Sequence, residues 1–305
     1  MDRQRILVVA ALLALLPSVG LPVVAQGRMP NAVSATAPAI PINWYTDYPT
    51  ALQAAKDQAR MLFIYFYTPE RDAAGERFEQ KSLPDLRVRR QLEGYVAVKL
   101  PVNTEVEVNG KPTRLLDHGA FSAMEHEQGI AILDFAHPRA EQYGRVVTAV
   151  PFVEGRTYQY QPKHLSIILD LPPGTVTQRT LIFAVRIHPE APASVKGQFD
   201  QGLAAEAKSH SNYQASSRVQ GHQQWDSRFQ RISGRLPWGL RAQEIVAESW
   251  PHEGLLDAAI DCVQSWRQSS GHWRAVRSWQ PRFGYDMQRG SNGIWYATGI
   301  FGNNH

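Results

Sequence analysis

The side chains that could do chemistry in this 305-residue chain include ten histidines and a single cysteine. Two neutral imidazoles that converge on one cleft make a zinc-type site, with a carboxylate as third ligand or as the partner that orients a ring N–H. The same groups could do general acid–base work. A hydrolase triad drawn from His210-Ser211, Ser269-Ser270 and Asp257 is disfavoured, because the sequence has no Gly-x-Ser-x-Gly elbow.

Composition excludes several classes of protein. One cysteine among 305 residues rules out a disulfide framework, a cysteine-based zinc site and an iron–sulfur centre. That thiol, Cys262, lies in a predicted helix away from cations, so we expect it to be buried and inert. With 43% hydrophobic and 20% charged residues the chain should fold, and its length suggests two domains. The net charge is +4 without any Lys/Arg run, so no nucleic-acid partner is expected.

The N-terminus has the pattern of an export signal over residues 1–25. Two arginines precede the apolar run Ile6–Leu16, and Ala25 ends a stretch with small residues at the cleavage positions. An uncleaved membrane anchor is the alternative, since the apolar stretch is just long enough to span a bilayer. Residues 26–41, rich in Pro, Ala and Ser, are expected to form a flexible leader. We therefore predict a secreted or periplasmic protein with no transmembrane segment after cleavage.

The next section of the chain, residues 42–172, alternates helical and strand patterns. Continuous apolar runs of strand length alternate with segments whose apolar residues recur at helical spacing. This order predicts an α/β domain with a covered sheet. Strands are predicted at 61–67, 95–100, 129–135 and 146–150, and helices at 44–58, from 76 through Leu86, at 88–92 and at 164–169.

The segment from Asn43 to Leu100 resembles the opening half of bacterial thioredoxin-like domains, with a Trp, a helix, an apolar strand, a turn and a helix bearing a Phe-Glu pair. The resemblance implies a thioredoxin-like fold for 42–172. It places Asp72 to Gly75 where the family has Cys-x-x-Cys, and Gln128 or Gly129 in place of its cis-proline. Because no side chain in Asp72–Gly75 can supply a thiolate, we predict a degenerate redox turn without oxidoreductase activity and a docking or scaffold role.

The last section of the chain, residues 173–305, begins after a predicted hinge at Leu171–Gly174. Helices come first and an antiparallel hairpin last, which predicts an α+β layered domain. Thr177 is the predicted N-cap of the first helix. Helices are predicted at 175–187, 199–215 and 255–266, and strands at 282–287 and 293–301 with a turn at 289–292.

Five local patterns in this section resemble, in order, those of the CAP superfamily, which includes the cysteine-rich secretory proteins, antigen 5, plant pathogenesis-related proteins and bacterial SCP-domain proteins. The resemblance implies an α-β-α sandwich over 173–305. The patterns are Ala207-x-x-His210-Ser211-x-x-x-Ala215 followed by His222, Gln243-Glu244-Ile245-Val246-Ala247, Ser265-Trp266 through His272-Trp273, Phe283-Gly284-Tyr285, and Trp295-Tyr296-Ala297-Thr298-Gly299.

The resemblance also implies a cleft, since the CAP family lines its cavity with two histidines and two acidic residues. Carried over residue by residue, the cleft contains His222, Glu244 and His272, with Asp226 as a loose match for the fourth member. The residues beside Glu244 depart from the family's motif, so Glu248 is its alternative. If a metal binds, the implied ligands are His222 and His272, and the implied cofactor is zinc or another divalent ion.

Three functions are open at this point. The leading one is an exported, non-enzymatic binding or scaffold protein whose cleft takes a small ligand or divalent metal, with an extracytoplasmic protein, glycan or lipid as partner. The alternative is an extracytoplasmic metal-dependent hydrolase with Glu244 as base on a water held by His222 and His272. A third is a partner-binding module in which neither half's cleft acts. The tryptophan-rich second half favours core and rim packing over a carbohydrate- or lipid-binding face.

Overall fold

A computed structural model describes residues 41–70 and 72–304 of the chain. The predicted signal at 1–25 and all but the last residue of the predicted leader lie outside them. The described residues form a mixed α/β structure with a five-stranded sheet, a four-stranded sheet and a two-stranded hairpin, gathered in one compact unit. Within these residues, no helix is both long and apolar enough to cross a membrane.

The first half of the described chain contains the larger sheet. Its strands lie in the order β1-β3-β2-β6-β7, with the first three parallel and the last two antiparallel to their neighbours. The hairpin β4-β5 was not predicted. The strands are β1 (Trp44–Tyr45), β2 (Met61–Tyr67), β3 (Tyr95–Pro101), β4 (Glu105–Val108), β5 (Lys111–Arg114), β6 (Gly129–Leu133) and β7 (Val146–Pro151).

Four helices accompany this sheet. The predicted helix at 44–58 begins late, because Asp47 caps it by accepting a hydrogen bond from the Thr50 amide at 2.9 Å. The second helix continues as a π-helical turn over Phe78–Ser82. The helices are α1 (Tyr48–Asp57), α2 (Ala73–Arg77), α3 (Leu86–Leu92) and α4 (Pro162–Leu169).

Strand β2 shows why the larger sheet is covered on both faces. Successive side chains in a strand point to opposite faces. Leu62 and Ile64 accordingly pack in the core on the α1 side, and Phe63 and Tyr65 pack in the core on the other side. All four are buried, so the strand sequence is continuously apolar, as the sequence analysis predicts.

The second half contains the four-stranded sheet, in the order β8-β10-β11-β9. The predicted strands at 282–287 and 293–301 are confirmed as an antiparallel pair, β10 and β11. Two helices, at 225–233 and 270–277, were not predicted. The elements are α5 (Val176–Ile187), β8 (Gln198–Phe199), α6 (Gln201–Ser217), α7 (Trp225–Ser233), β9 (Arg241–Glu248), α8 (Leu255–Gln268), α9 (Ser270–Arg277), β10 (Arg282–Arg289) and β11 (Trp295–Asn303).

Helices cover both faces of the second sheet. Helix α6 packs against β10 and β11 on one face, where a Cβ on Gly284 would lie 2.2 Å from the Ala204 nitrogen, so only glycine permits this approach. Helices α5 and α8 pack on the other face. The N-cap of α5 is Thr175 and not the predicted Thr177, because Thr175 and Gln178 form a capping box.

Helix α5 joins the two halves, since it contacts β7 of the first sheet as well as β10 of the second. The buried Arg179 of α5 donates hydrogen bonds to Thr148 in β7 and to the carbonyl oxygens of Ile168, Leu171 and Pro172. These bonds satisfy a guanidinium that would otherwise be buried at high cost. The predicted hinge at Leu171–Gly174 is therefore tied to both neighbouring elements.

Candidate functional site

The three residues that the sequence analysis singles out come from three elements of the second half. Glu244 lies in β9 opposite Ile300 of β11. His222 lies in the loop between α6 and α7, and His272 lies in the first turn of α9. The structure brings all three together: His222 contacts Glu244, and the ring of His272 lies beside the ring of His222.

Glu244 is the centre of this cluster, and its side chain is 1% exposed. Arg228 of α7 donates to both of its carboxylate oxygens, one of them at 2.8 Å. Burial alone raises the pKa of Glu244, but the hydrogen bonds with Arg228 and His222 outweigh it, and the pKa lies below its usual value. Glu244 is therefore an ionised, acceptor-only group at neutral pH.

His222 is oriented by this carboxylate. Its Nδ1 lies 3.0 Å from Oε1 of Glu244. Because an ionised carboxylate only accepts hydrogen bonds, Nδ1 must carry the proton, and Nε2 is the nitrogen that holds the lone pair in the unprotonated ring. The side chain is 44% exposed, so a ligand can reach it from solvent. A carboxylate that fixes an imidazole in this way is the usual second partner of a metal-binding or proton-transferring histidine.

His272 supplies a second imidazole. Its ring centroid lies 5.9 Å from that of His222, and the two ring planes are tilted by 56°. Burial and the nearby His222 lower the pKa of His272, so its neutral form is favoured. Two imidazoles therefore lie side by side next to the buried Arg228–Glu244 pair.

His210 of α6 is a further member, which the sequence analysis considered only for the disfavoured hydrolase triad and not for the cleft. Its Nε2 lies 2.8 Å from the Gly221 carbonyl oxygen and 3.7 Å from Glu244 Oε1. The first contact fixes Nε2 as a donor and ties α6 to the loop that precedes His222. Burial lowers the pKa of His210, so this ring is kept neutral. Its side chain is 1% exposed, so we assign it a structural place in the cluster.

Arg228 was missed by the sequence analysis, which predicted no helix at α7. Gln224, the residue before the helix, has a left-handed backbone conformation, and no side chain caps the helix. The sequence pattern that usually marks the start of a helix is therefore absent. Asp226, two residues before Arg228, makes none of the contacts described for the cluster. Glu248, the alternative to Glu244, lies exposed at the end of β9 and lines a different cavity.

The cluster provides few ligands for a metal ion. Within the described part of the chain, no group of three or more His, Cys, Asp or Glu is arranged to hold one. Two imidazoles on one tetrahedral zinc have ring centroids about 5 Å apart, given a Zn–N bond of about 2 Å. The His222–His272 pair could reach that separation by a small side-chain movement. Glu244 is not available as third ligand because Arg228 and His222 occupy its oxygens.

The predicted degenerate redox turn lies at the end of β2 beside a cavity of about 410 Å³. Asp72 caps α2 by accepting from the Gly75 amide at 2.6 Å, and it also accepts from the Gln128 amide. On the opposite wall, Glu79 accepts from Tyr65 and pairs with Lys99. Hydrogen-bonded polar groups therefore lie around the turn that was aligned with Cys-x-x-Cys.

The remaining chemical candidates do not come together. Ser211 donates its hydroxyl to Thr298, and Asp257 pairs with Arg156. Cys262 is fully buried, and burial raises the pKa of its thiol well above the usual value. The expectation that Cys262 is buried is confirmed, and its inertness stays a prediction. Ser211 and Asp257 have other partners, so the structure gives no support to the hydrolase triad.

Comparison with known proteins gives little further information. No family model matches the chain, and no curated protein matches it. Among solved structures, an outer surface protein from Borrelia burgdorferi is similar over 36% of this chain and 78% of that chain, with 19% sequence identity and a TM-score of 0.29. A TM-score of 0.29 is too low to assign a fold.

Proposed function

We propose that this protein is an exported binding protein whose ligand site is the imidazole pair His222 and His272. The observation that supports it most strongly is the hydrogen bond between His222 and the buried, Arg228-paired Glu244. It orients a partly exposed imidazole, whose Nε2 is not bonded to Glu244, beside the ring of His272. Through its nitrogen lone pairs, such a pair can coordinate a divalent metal such as zinc or accept hydrogen bonds from a small molecule.

The hydrolase alternative requires Glu244 to take a proton from a water held by the two histidines. Both oxygens of Glu244 already accept hydrogen bonds, and its lowered pKa makes it a weak base. In the proposed binding role, Glu244 orients His222 and does not react. A Glu244→Gln variant separates the two roles, because it keeps an oxygen that can accept from His222 but cannot act as a base.

The CAP-like interpretation of residues 173–305 belongs to this proposal. Helices on both faces of the β8-β10-β11-β9 sheet are compatible with it, as is the meeting of His222, Glu244 and His272. The departure is that Arg228 contacts Glu244, while Asp226, the loose match for the family's second acidic residue, makes none of the contacts described for the cluster. A cleft with Arg228 beside Glu244 is less suited to a multi-ligand metal site than a cleft lined by two carboxylates.

The thioredoxin-like interpretation of residues 42–172 also belongs to the proposal, as a scaffold without redox chemistry. The strand order β1-β3-β2-β6-β7 and the contact of Gln128 with Asp72 support the alignment of the turn. In that alignment Gln128 faces the turn from the loop before β6. Export rests on the signal pattern at residues 1–25, and N-terminal sequencing of secreted chain starting at Gln26 would test it.

The experiment is a calorimetric zinc titration of the full chain and of His222→Ala, His272→Ala and Glu244→Gln. We expect micromolar binding that weakens at least about tenfold in each histidine variant, because each removes one of two ligands. His126→Ala, which removes an exposed histidine of the first half, is the matched control and should bind as the parent does. Absence of binding, or binding unchanged in both cleft variants, would reject the metal and leave hydrogen-bonding small molecules as the ligand class to screen.

A further inference from the structure

A second cavity, of about 420 Å³, lies beside the end of β9 and shares no residue with the histidine cluster. That volume falls in the range of about 300–1,000 Å³ found for small-molecule sites. Its rim carries Trp250, whose side chain is 74% exposed. The exposed indole leaves an apolar face at the mouth of the cavity, on which a ligand can pack.

The loop that carries Trp250 is held in place by hydrogen bonds to β11 and to the turn before it. The Ser249 amide donates to the Trp295 carbonyl at 2.9 Å, and the His252 amide donates to the Gly293 carbonyl at 3.0 Å. The indole N–H of Trp295 donates to the Glu253 carbonyl at 3.0 Å. The backbone on both sides of Trp250 is therefore fixed, which lowers the entropy lost when a ligand packs on the indole.

Another part of the cavity's lining is a polar stripe along α8. Asp261, Gln264, Ser265 and Gln268 all line it. Their spacing of three, four and seven residues places them on one face of the helix, over a length of about 10 Å. Together they offer carboxylate, hydroxyl and two amide groups, which both donate and accept hydrogen bonds.

We infer that this cavity binds a neutral oligosaccharide, with Trp250 as the stacking platform and the α8 stripe as the hydrogen-bonding wall. A pyranose ring has C–H bonds on one face, which pack on the electron-rich face of an indole. Its hydroxyls need donors and acceptors at short intervals, and the stripe provides them. One exposed indole and a row of amide, hydroxyl and carboxylate groups line the same cavity. Such a lining suits a ligand that is apolar on one face and polar at its edges.

The charged and apolar residues that line the cavity restrict the kinds of ligand that it could bind. Glu248 and Asp261 are its charged lining residues, so an anionic ligand would be repelled. Besides Trp250, the apolar side chains of the lining are Pro251 and Ile294, which is too little apolar surface for a lipid chain or an apolar helix. A neutral polyhydroxylated ligand fits both features.

The test is calorimetric titration of the full chain with two neutral trisaccharides, tri-N-acetylchitotriose and maltotriose, and with tetramethylammonium as a cationic probe. We expect submillimolar binding of at least one trisaccharide. Trp250→Ala should weaken it at least about tenfold. The double variant Gln264→Ala/Gln268→Ala should weaken it as well. Both variants change exposed side chains, so thermal unfolding should show that they stay folded.

Matched controls come from the other exposed tryptophans, Trp238 and Trp279, which are 101% and 59% exposed and do not line this cavity. Trp238→Ala and Trp279→Ala should bind the trisaccharide as the parent does, and so should His222→Ala. No heat with either trisaccharide, equal binding by Trp250→Ala and the parent, or binding of tetramethylammonium alone would overturn the inference. The last result would identify the cavity as a cation site formed by Trp250 and the carboxylates.

Discussion

The guanidinium of Arg228 hydrogen-bonds to both carboxylate oxygens of Glu244 inside the second half of the protein. The carboxylate side chain is 1% exposed, so the pair is shielded from water on the acid's side. One of its oxygens also faces Nδ1 of His222. A buried ion pair that does not itself meet solvent thus sets the tautomer and orientation of a histidine that does.

Removal of Arg228 should destabilise the fold strongly. Arg228→Ala leaves Glu244 buried without its cation, and a broken buried pair of this kind costs about 3–5 kcal/mol in the free energy of unfolding. Urea unfolding of the variant and the parent measures the difference. The double variant Arg228→Met/Glu244→Met removes both charges and should be more stable than Arg228→Ala. If Arg228→Ala unfolds with the parent's free energy, the pair is open to solvent and its place in this account is wrong.

His210 should make stability depend on pH in the mildly acidic range. Burial lowers its pKa in the folded state, while Glu244, Arg228 and His222 face it. The unfolded chain takes up a proton near the ordinary histidine pKa of about 6.5 that the folded protein resists, so this contribution is present above that pH and is lost below it.

His210→Gln removes the titration and keeps a donor for the Gly221 carbonyl. Melting temperatures measured from neutral pH to about pH 5.5 should fall less steeply in His210→Gln than in the parent. The remaining slope would come from other buried histidines, such as His164 and His188, whose pKa values burial also lowers. A variant with the parent's slope would show that His210 is free to protonate in the folded protein.

Glu253 should act in the opposite sense. Burial, a hydrogen bond with Asp261 and the negative charges of Asp261 and Asp257 raise its pKa to about 7. The folded state therefore keeps a proton that the unfolded state releases above its ordinary pKa of about 4.3, and stability falls as pH rises from there to 7. Glu253→Gln should melt higher than the parent at pH 8, and the difference should shrink steadily as the pH falls toward about 4. Glu127→Gln, an exposed glutamate, should show no such difference.

The thiol of Cys262 should be unreactive in the folded protein. It is fully buried, and burial raises its pKa, so the reactive thiolate is scarce. A thiol reagent such as Ellman's reagent should label it only after denaturation, at one equivalent per chain. The full chain should also fail to reduce insulin in the presence of dithiothreitol beyond the uncatalysed rate. Fast labelling of native protein, or insulin turnover, would contradict the proposed scaffold role of the first half.

Sequence patterns predicted the buried strands well and the short elements poorly. β2 was found because apolar side chains fill it along its length, and burial on both faces of a sheet leaves this signal in the sequence. β10 and β11 were found because strand-like runs flank the turn composition at 289–292. β1 has two residues and β8 has two, too few for a period to register. Helix α7 has no side-chain cap at its start, and α9 lies between two short turns. Neither helix was therefore marked by a start or stop signal in the sequence.

The candidate site was predictable in part. His222, Glu244 and His272 were predicted through the order of local patterns, and the structure places their side chains beside one another. Arg228 could not be found this way, because an arginine in a polar helix is the ordinary surface pattern and only the tertiary fold buries it. Asp226 was chosen by proximity to His222 in sequence, and a helix turns it away from the side chain two positions later.

The central claim is that Glu244 fixes His222 with its proton on Nδ1 beside a neutral His272. Nitrogen-15 NMR of the imidazole rings, assigned with His222→Ala and His272→Ala, measures this directly in the full chain. The account predicts that His222 has the Nδ1–H tautomer at neutral pH, that Glu244→Gln weakens this preference, and that zinc shifts the His222 and His272 signals together. An Nε2–H tautomer of His222 that is unchanged in Glu244→Gln would contradict it.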